Sequence, residues 1–518
     1  MTSISSLNTA NILASLDQTD TQKTSPIAKT SLTSAAPPTT PATSVTLAQA
    51  AAGASSPVYS VYTAYQPVWE NTADDPISLR MAGNMAVLTG AQQFNGLGAA
   101  LLNQLGSTGA SFSQSVLLTD GNQSSAAIAA TQAQLHKSAT NQVTLDVTTK
   151  SGVKVEISLD SDTDGLGVQV NVTNGTLSAA DRNALQGLAK SFQSAIDGLT
   201  SDPPALNISG LLQYDAKDLS SVDFHAAVQG TSGNQTVDFH ADSQQRSLSS
   251  NGPDGKINLN VDMSKLATIG GSAQQQAAAI KSYLQQFNNA QQRGHGDPAL
   301  VSAFDDAFTA MNSNYSVTPA SGAATTAAAL MSGSDRSLLS GLADFTASVV
   351  QTPKQSNPYR LDEYDAFSYQ VSQSTEISRS GPLGVSVKQQ QNSQLHASYH
   401  QAIPGSAGLF LDNTKQSQNY DFIQIDDSAS SEANMAIDDG KLVNATLQQS
   451  AKQSTHTLEY VLGVIVKDTT TPESGSWSKD FLKLLDDANA SSSGGQTLAA
   501  VSQDSVLQAD PLRLEAAG

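Results

Sequence analysis

Apolar residues first fall into a sustained period between residues 142 and 263. Val143, Leu145 and Val147 alternate with polar neighbours, then Val153, Val155, Ile157 and Leu159, then Leu166, Val168, Val170 and Val172. A period of two buries one face of a strand and wets the other, so the pattern predicts three antiparallel strands, with turns at Gly152 and across residues 160–165. A helix is expected next. Ser178 is placed to cap it with Asp181 three residues on, and Leu185, Leu188, Phe192 and Ile196 recur at helical spacing before Gly198. The near-repeat Val222-Asp-Phe-His-Ala226 and Val237-Asp-Phe-His-Ala241 around a Gly/Ser/Asn turn predicts a hairpin, and Ile257, Leu259 and Val261 a further strand.

Helical spacing on either side of this block places helices at Ile77 to Leu105, broken near Gly90, at residues 122–137, at Ile280 to Phe287, from Pro298 through Val301, Phe304 and Phe308, and over residues 334–350. The clearest alternation follows in a second block: Phe367, Tyr369, Val371 and Ile377; Leu383, Val385, Val387, Leu395, Ala397 and Tyr399; Val443, Ala445 and Leu447; Leu458, Tyr460, Leu462, Val464 and Val466. Its wet face, with Gln370, Ser372, Ser374, Glu376, Gln390 and Ser398, is largely uncharged polar. Trp477, Phe481, Leu484 and Leu485 then fit a short amphipathic helix. The fold class this predicts is α+β, two antiparallel β-sheet modules each packed on one face by amphipathic helices, with disordered termini. The divisions are residues 1–70 as a Ser/Thr/Pro-rich tail, 71–315 as a helical segment plus the first module, 316–333 as a linker, 334–488 as the second module, and 489–518 as a loose tail.

Composition changes this picture in three ways. Charged residues are only 14% and aromatics 5% of the 518, so stretches without apolar periodicity have little to offset ordering entropy. A net charge of −20 argues against nucleic acid, whose phosphates call for a basic stripe, and no apolar run is long enough to insert in a membrane. The absence of cysteine excludes disulfides, thiolate zinc sites and thiol nucleophiles. The N-terminal tail lacks a basic region followed by an apolar run, so a cleaved secretory signal is not expected. Its Ser/Thr content resembles the uncleaved leaders of bacterial proteins exported by flagellar or type III machinery, and the Ala/Ser/Thr/Asn/Gln-rich body is similar in composition to flagellar axial proteins. The resemblance implies a bacterial protein, cytoplasmic or exported without a cleaved signal, and assigns no residue a role.

Two constellations carry candidate metal chemistry. The stretch Asp160-Ser-Asp-Thr-Asp-Gly165 opens like a calcium loop, with Asp160, Asp162 and Asp164 as alternate carboxylates, but its twelfth position is Asn171 instead of a bidentate Glu and its flanks read as strands. In the Asp-Phe-His hairpin, a turn at Ser232-Gly233 would put His225 opposite His240 and Asp223 opposite Asp242, gathering a divalent-metal set. A turn at Thr231-Ser232 would instead put His225 opposite Asp238 and Asp223 opposite His240 as two ion pairs. No nucleophile elbow, phosphate loop, zincin or dinucleotide motif is present. The reading is a non-enzymatic structural or interaction protein, meeting a protein partner or another copy through its polar sheet faces. The alternative is a metal-binding module or enzyme centred on Asp223, His225, Asp238 and His240.

Overall fold

In the computed structural model the described residues are 65–518, apart from 202–203, 231–232, 316–326, 328, 407, 491–494 and 518. The expected tail 1–70 therefore lies mostly outside them, as does most of the expected linker. The described residues all fall within one unit.

The alternating segments become strands β1 (Gln66–Trp69), β2 (Phe112–Thr119), β3 (Asn141–Thr149), β4 (Lys154–Asp162), β5 (Gly165–Thr173), β6 (Leu219–Gly230), β7 (Gly233–Asp242), β8 (Gln245–Gly252) and β9 (Gly255–Asp262). The second block supplies β10 (Asp344–Gln351), β11 (Ala366–Arg379), β12 (Val385–Ala402), β13 (Tyr420–Asp438), β14 (Lys441–Val461) and β15 (Val464–Asp480). All fifteen lie in one sheet, in the order β1-β2-β5-β4-β3-β6 and then sequentially to β15. The two expected strand sets meet edge to edge: β9 pairs antiparallel with β10, Leu259 opposite Ala347.

Helices cover one face. They are α1 (Pro76–Val87), α2 (Leu97–Thr108), α4 (Ala179–Gly187), α5 (Ala189–Leu199), α7 (Ala273–Gly294), α8 (Pro298–Met311), α10 (Leu482–Ala490), α11 (Gly495–Asp504) and α12 (Pro511–Ala517), with short turns α6 (Leu266–Ile269) and α9 (Gly333–Arg336). The expected capping box is formed at α4, where Ser178 accepts from the Asp181 N–H and Asp181 accepts from the Ser178 N–H. Beneath these helices Val143, Leu145, Val147, Ile157, Leu159, Val168, Phe224, Phe239, Leu259, Val349, Tyr369 and Leu395 are buried in one cluster. A second cluster joins Val385, Val387, Met435, Leu447, Phe481 and Leu485. Between the strand sets, Tyr283, Phe287, Phe304, Phe308, Phe345 and Tyr369 pack with ring centroids 4.9–5.5 Å apart, tying α7 and α8 to β10 and β11.

Helix α3 (Ser125–Ser138) departs from this plan and lies on the opposite face, over β2, β4 and β5. Glycine makes room for it: a Cβ on Gly165 would stand 2.7 Å from Leu117 and 3.1 Å from Leu135.

Three expectations are corrected. Residues 334–350 are not a helix. After α9 the chain turns through residues 337–339 and enters β10 at Asp344, because Phe345, Ala347 and Val349 alternate inward and edge pairing with β9 is available. Trp477 belongs to β15, and the helix starts only at Leu482. The C-terminal stretch is not a loose tail. Residues 495–504 and 511–517 are helical, and Val501, Val506, Leu507 and Leu514 are buried against the sheet.

Candidate functional site

Because side chains alternate along each strand, burying one face aims the other set of residues away from the helices. Across β7 to β12 these are Asp238, Ser247, Ser249, Asn258, Asn260, Thr346, Ser348, Gln370, Ser372, Asn392 and Gln394, and they line one shallow concavity of about 600 Å3. Cross-strand pairing stacks them in rows: Asp238, Ser249, Asn258, Ser348, Gln370 and Gln394 stand opposite one another in turn. Neighbours in a row bond each other, as in Ser249 Oγ to Asn258 Oδ1 at 2.9 Å. Asp238 is the one charged side chain among them, so the trough offers hydroxyls and amides, both donors and acceptors, with little net charge.

One end of this face is acidic. Glu156, Asp146 and Asp223 are directly opposed on β4, β3 and β6. Burial, then the Glu156 and Asp223 carboxylates, push Asp146 up to about 6. Beside them the Asp-Phe-His hairpin closes with Gly230 opposite Gly233, which settles its register. His225 faces Asp238 and His240 faces Asp223, each Nδ1 lying 2.6 Å from a carboxylate oxygen, while His240 Nε2 is 3.6 Å from Asp242. His225 is therefore not opposite His240, nor Asp223 opposite Asp242, and the four do not form the set a divalent ion would need. Among the described residues no group of three or more His, Asp or Glu is arranged to hold a metal.

The calcium-like loop is a hairpin corner, with Asp162 opposite Gly165. Asp160 is fully buried under α3, accepting from Gln142 and Ser158 at 3.1 Å. Asp162 accepts from the Thr140 N–H at 2.7 Å, and the Asp164 carbonyl accepts from the Leu118 N–H. The carboxylates of Asp160 and Asp162 thus serve the strands and the ground beneath α3, while Asp164 contributes its backbone carbonyl to the corner. His136, in the last turn of α3, lies 3.8 Å from Asp160 and 3.1 Å from Glu70. Its pKa is raised by Asp160 first, against burial, and then by Glu70.

A second polar cluster, which the sequence did not disclose, lies at the other end of the uncovered face. The connection 352–365 folds over the ends of β12 to β14 and buries His400. His400 Nδ1 is 2.7 Å from Asp365 and its Nε2 is 3.0 Å from Glu363, which also accepts from Tyr420 OH at 2.6 Å. Burial alone would depress His400, but the hydrogen bonds and charges of Asp365 and Glu363 raise it to about 9. Both ring nitrogens are engaged by carboxylates, so the group is an imidazolium clamp and has no free nitrogen to act as a base. Only the even-numbered alternation of His396 and His400 was visible in the sequence. The carboxylates come from an irregular connection.

Among the described residues no helix is long and apolar enough to cross a membrane. No protein-family model matches the chain, and comparison with curated proteins and with solved structures finds no match.

Proposed function

We propose that this is a non-enzymatic interaction protein whose uncovered sheet face receives a partner. The observation that supports this reading is the concave run of hydroxyl and amide side chains across β7 to β12, left open while helices cover the other face of the same strands. Antiparallel sheets commonly wet one face, but ordinary solvated faces are rich in Lys and Glu, whereas this one presents groups that exchange water for partner hydrogen bonds at little desolvation cost. The bacterial setting and export without a cleaved signal belong to the same proposal and rest on composition alone. The rival reading, chemistry at Asp223, His225, Asp238 and His240, loses ground because each imidazole is committed to a carboxylate across the strand pair.

Photoreactive side chains placed singly at Ser249, Ser348 and Gln394 should trap a discrete adduct in the producing cell, while one at the exposed Lys281 of α7 should not. Equal labelling at all four positions, or none at the three face positions, refutes the proposal. Export is tested separately. Removing about the first 20 residues should abolish appearance in the medium and leave the melting of the remainder unchanged.

A further inference from the structure

Hairpin β14–β15 ends in a two-residue turn, Leu462-Gly463, closed by Val461 opposite Val464. Both turn residues have positive φ, 49° for Leu462 and 76° for Gly463. The preceding hairpin β13–β14 turns with nearly the same backbone, φ 46° and 73°, through Asp439-Gly440. Asp-Gly and Asn-Gly suit that geometry. A leucine is strained there, and Leu462 is also 54% exposed. Local stability is thus given up to hold an apolar side chain out at a hairpin tip, and strain of this kind marks contact sites.

Leu462 does not stand alone. Val464, Ile465 and Val466 follow it, all exposed, with Val466 the extra residue of a bulge between the pairs Tyr460–Ile465 and Glu459–Lys467. Tyr359 lies beside Gly463, Leu361 follows at 66% exposure, and the intervening Arg360 fixes the two parts together by donating to the Gly463 carbonyl at 3.0 Å and stacking over Tyr460 at 4.3 Å. The tip is held from below as well, since Leu462 N–H donates to Asn419 and Gly463 N–H to the Gln418 carbonyl. The apolar surface is therefore rigid and preformed, which lowers the ordering cost of binding.

We propose that this tip is the contact between two copies of the chain, related by a two-fold axis. Tyr359, Leu361, Leu462, Val464, Ile465 and Val466 are all exposed at this tip, and apolar side chains gathered at the surface in this way mark interaction sites. Charge favours a second copy over a lipid surface. The residues around the patch are mixed in sign, Arg360 and Lys467 with Asp362, Glu459 and Asp468, in a chain whose net charge is −20. A mixed rim is self-complementary in an isologous contact, whereas the acidic members and the overall charge oppose approach to an anionic bilayer. This surface is separate from the concave face, so its failure would leave the proposed function standing.

The test is sedimentation equilibrium of the full chain between about 1 and 100 μM, comparing wild type with Leu462→Asn and with Leu361→Ser. Leu462→Asn creates the Asn-Gly pair the turn prefers, so it should melt no lower than wild type. Leu361→Ser alters an exposed loop side chain. The expected result is a wild-type dimer whose dissociation constant rises at least tenfold in each variant. A wild type that stays monomeric at 100 μM overturns the proposal, as does a dimer that neither substitution weakens. Flotation of monomeric wild type with phosphatidylcholine vesicles would assign the tip to lipid and overturn it too.

Discussion

At the scale of single residues, the uncovered face holds its charges at a cost that pH can reveal. Asp146 sits between Glu156 and Asp223, and its pKa of about 6 lies above the 3.8 of an unperturbed Asp. A carboxylate raised on folding destabilises the native state at high pH, and the penalty disappears once pH falls below the unfolded value. Asp146 is exposed enough for solvent to screen much of this, so Asp146→Asn should stabilise the protein by only about 1 kcal/mol in urea titrations near pH 8 and have no effect near pH 3. His400 runs the other way. Its raised pKa stabilises fully below about 6.5 and the contribution fades as pH climbs through about 9. On the acid side Glu363 and Asp365, which His400 holds below their ordinary values against burial, lose their contribution as pH falls through those lowered values. His400→Gln would leave two largely enclosed carboxylates without a counter-charge. It should cost about 3 kcal/mol at pH 6 and much less at pH 10, measured by denaturant unfolding at both pH values.

At the scale of elements, what could be read in the sequence tracks how large the inward side chains are. Strands β3, β4, β5, β7, β9, β11 and β12 were legible because Val, Leu, Ile and aromatic residues recur at alternate positions over at least part of each strand. Strand β8 was missed because Leu248 is its sole large aliphatic, and its other inward residues are Arg246 and Ser250. Arg246 is buried because its guanidinium donates to the carbonyls of Met311, Ser313 and Asn314 at the end of α8. Strand β13 was missed for a related reason: Asp427, Ala429, Ser431 and Ala433 face inward over its middle, where no large apolar side chain marks the period. Leu462 fell within an unbroken alternation and hid the turn that separates β14 from β15. The C-terminal stretch looked loose because its anchor is polar. Gln391 on β12 accepts from Tyr283 OH and from the Leu507 N–H, and donates to the Ser505 carbonyl, at 2.6–2.8 Å. Gln391→Leu leaves all three buried partners unpaired. It should cost roughly 3 kcal/mol and open residues 505–517 to hydrogen exchange ahead of the rest, whereas unchanged protection there would refute the anchoring role. Of the candidate sites, the sequence located the His–Asp hairpin and allowed both registers, and only the turn position chose between them. The His400 cluster lay beyond reach because its two carboxylates stand 35 and 37 residues from His400 in the chain, on an irregular connection.

At the scale of the whole molecule, a sheet of fifteen strands raises the question of whether its two halves stand or fall together. Periodicity alone divided them into modules, but the larger buried cluster takes residues from both strand sets, Val143 and Leu259 together with Tyr369 and Leu395. Continuous pairing through β9 and β10, and the aromatic group in which Phe308 touches Tyr283, Phe287 and Phe345, argue for coupling. The chain supplies its own reporters, since its two tryptophans are Trp69 on β1 and Trp477 on β15, the two edge strands of the sheet. If the halves are coupled, Trp69→Phe and Trp477→Phe variants, each followed by its remaining tryptophan, should unfold in urea with coincident midpoints. Phe308→Ala, which removes about 3–5 kcal/mol of packing at the seam, should then lower both midpoints together. Midpoints that separate in the parent proteins, or a seam substitution felt at one edge only, would mean that the halves fold as independent units that happen to share a ladder of backbone hydrogen bonds.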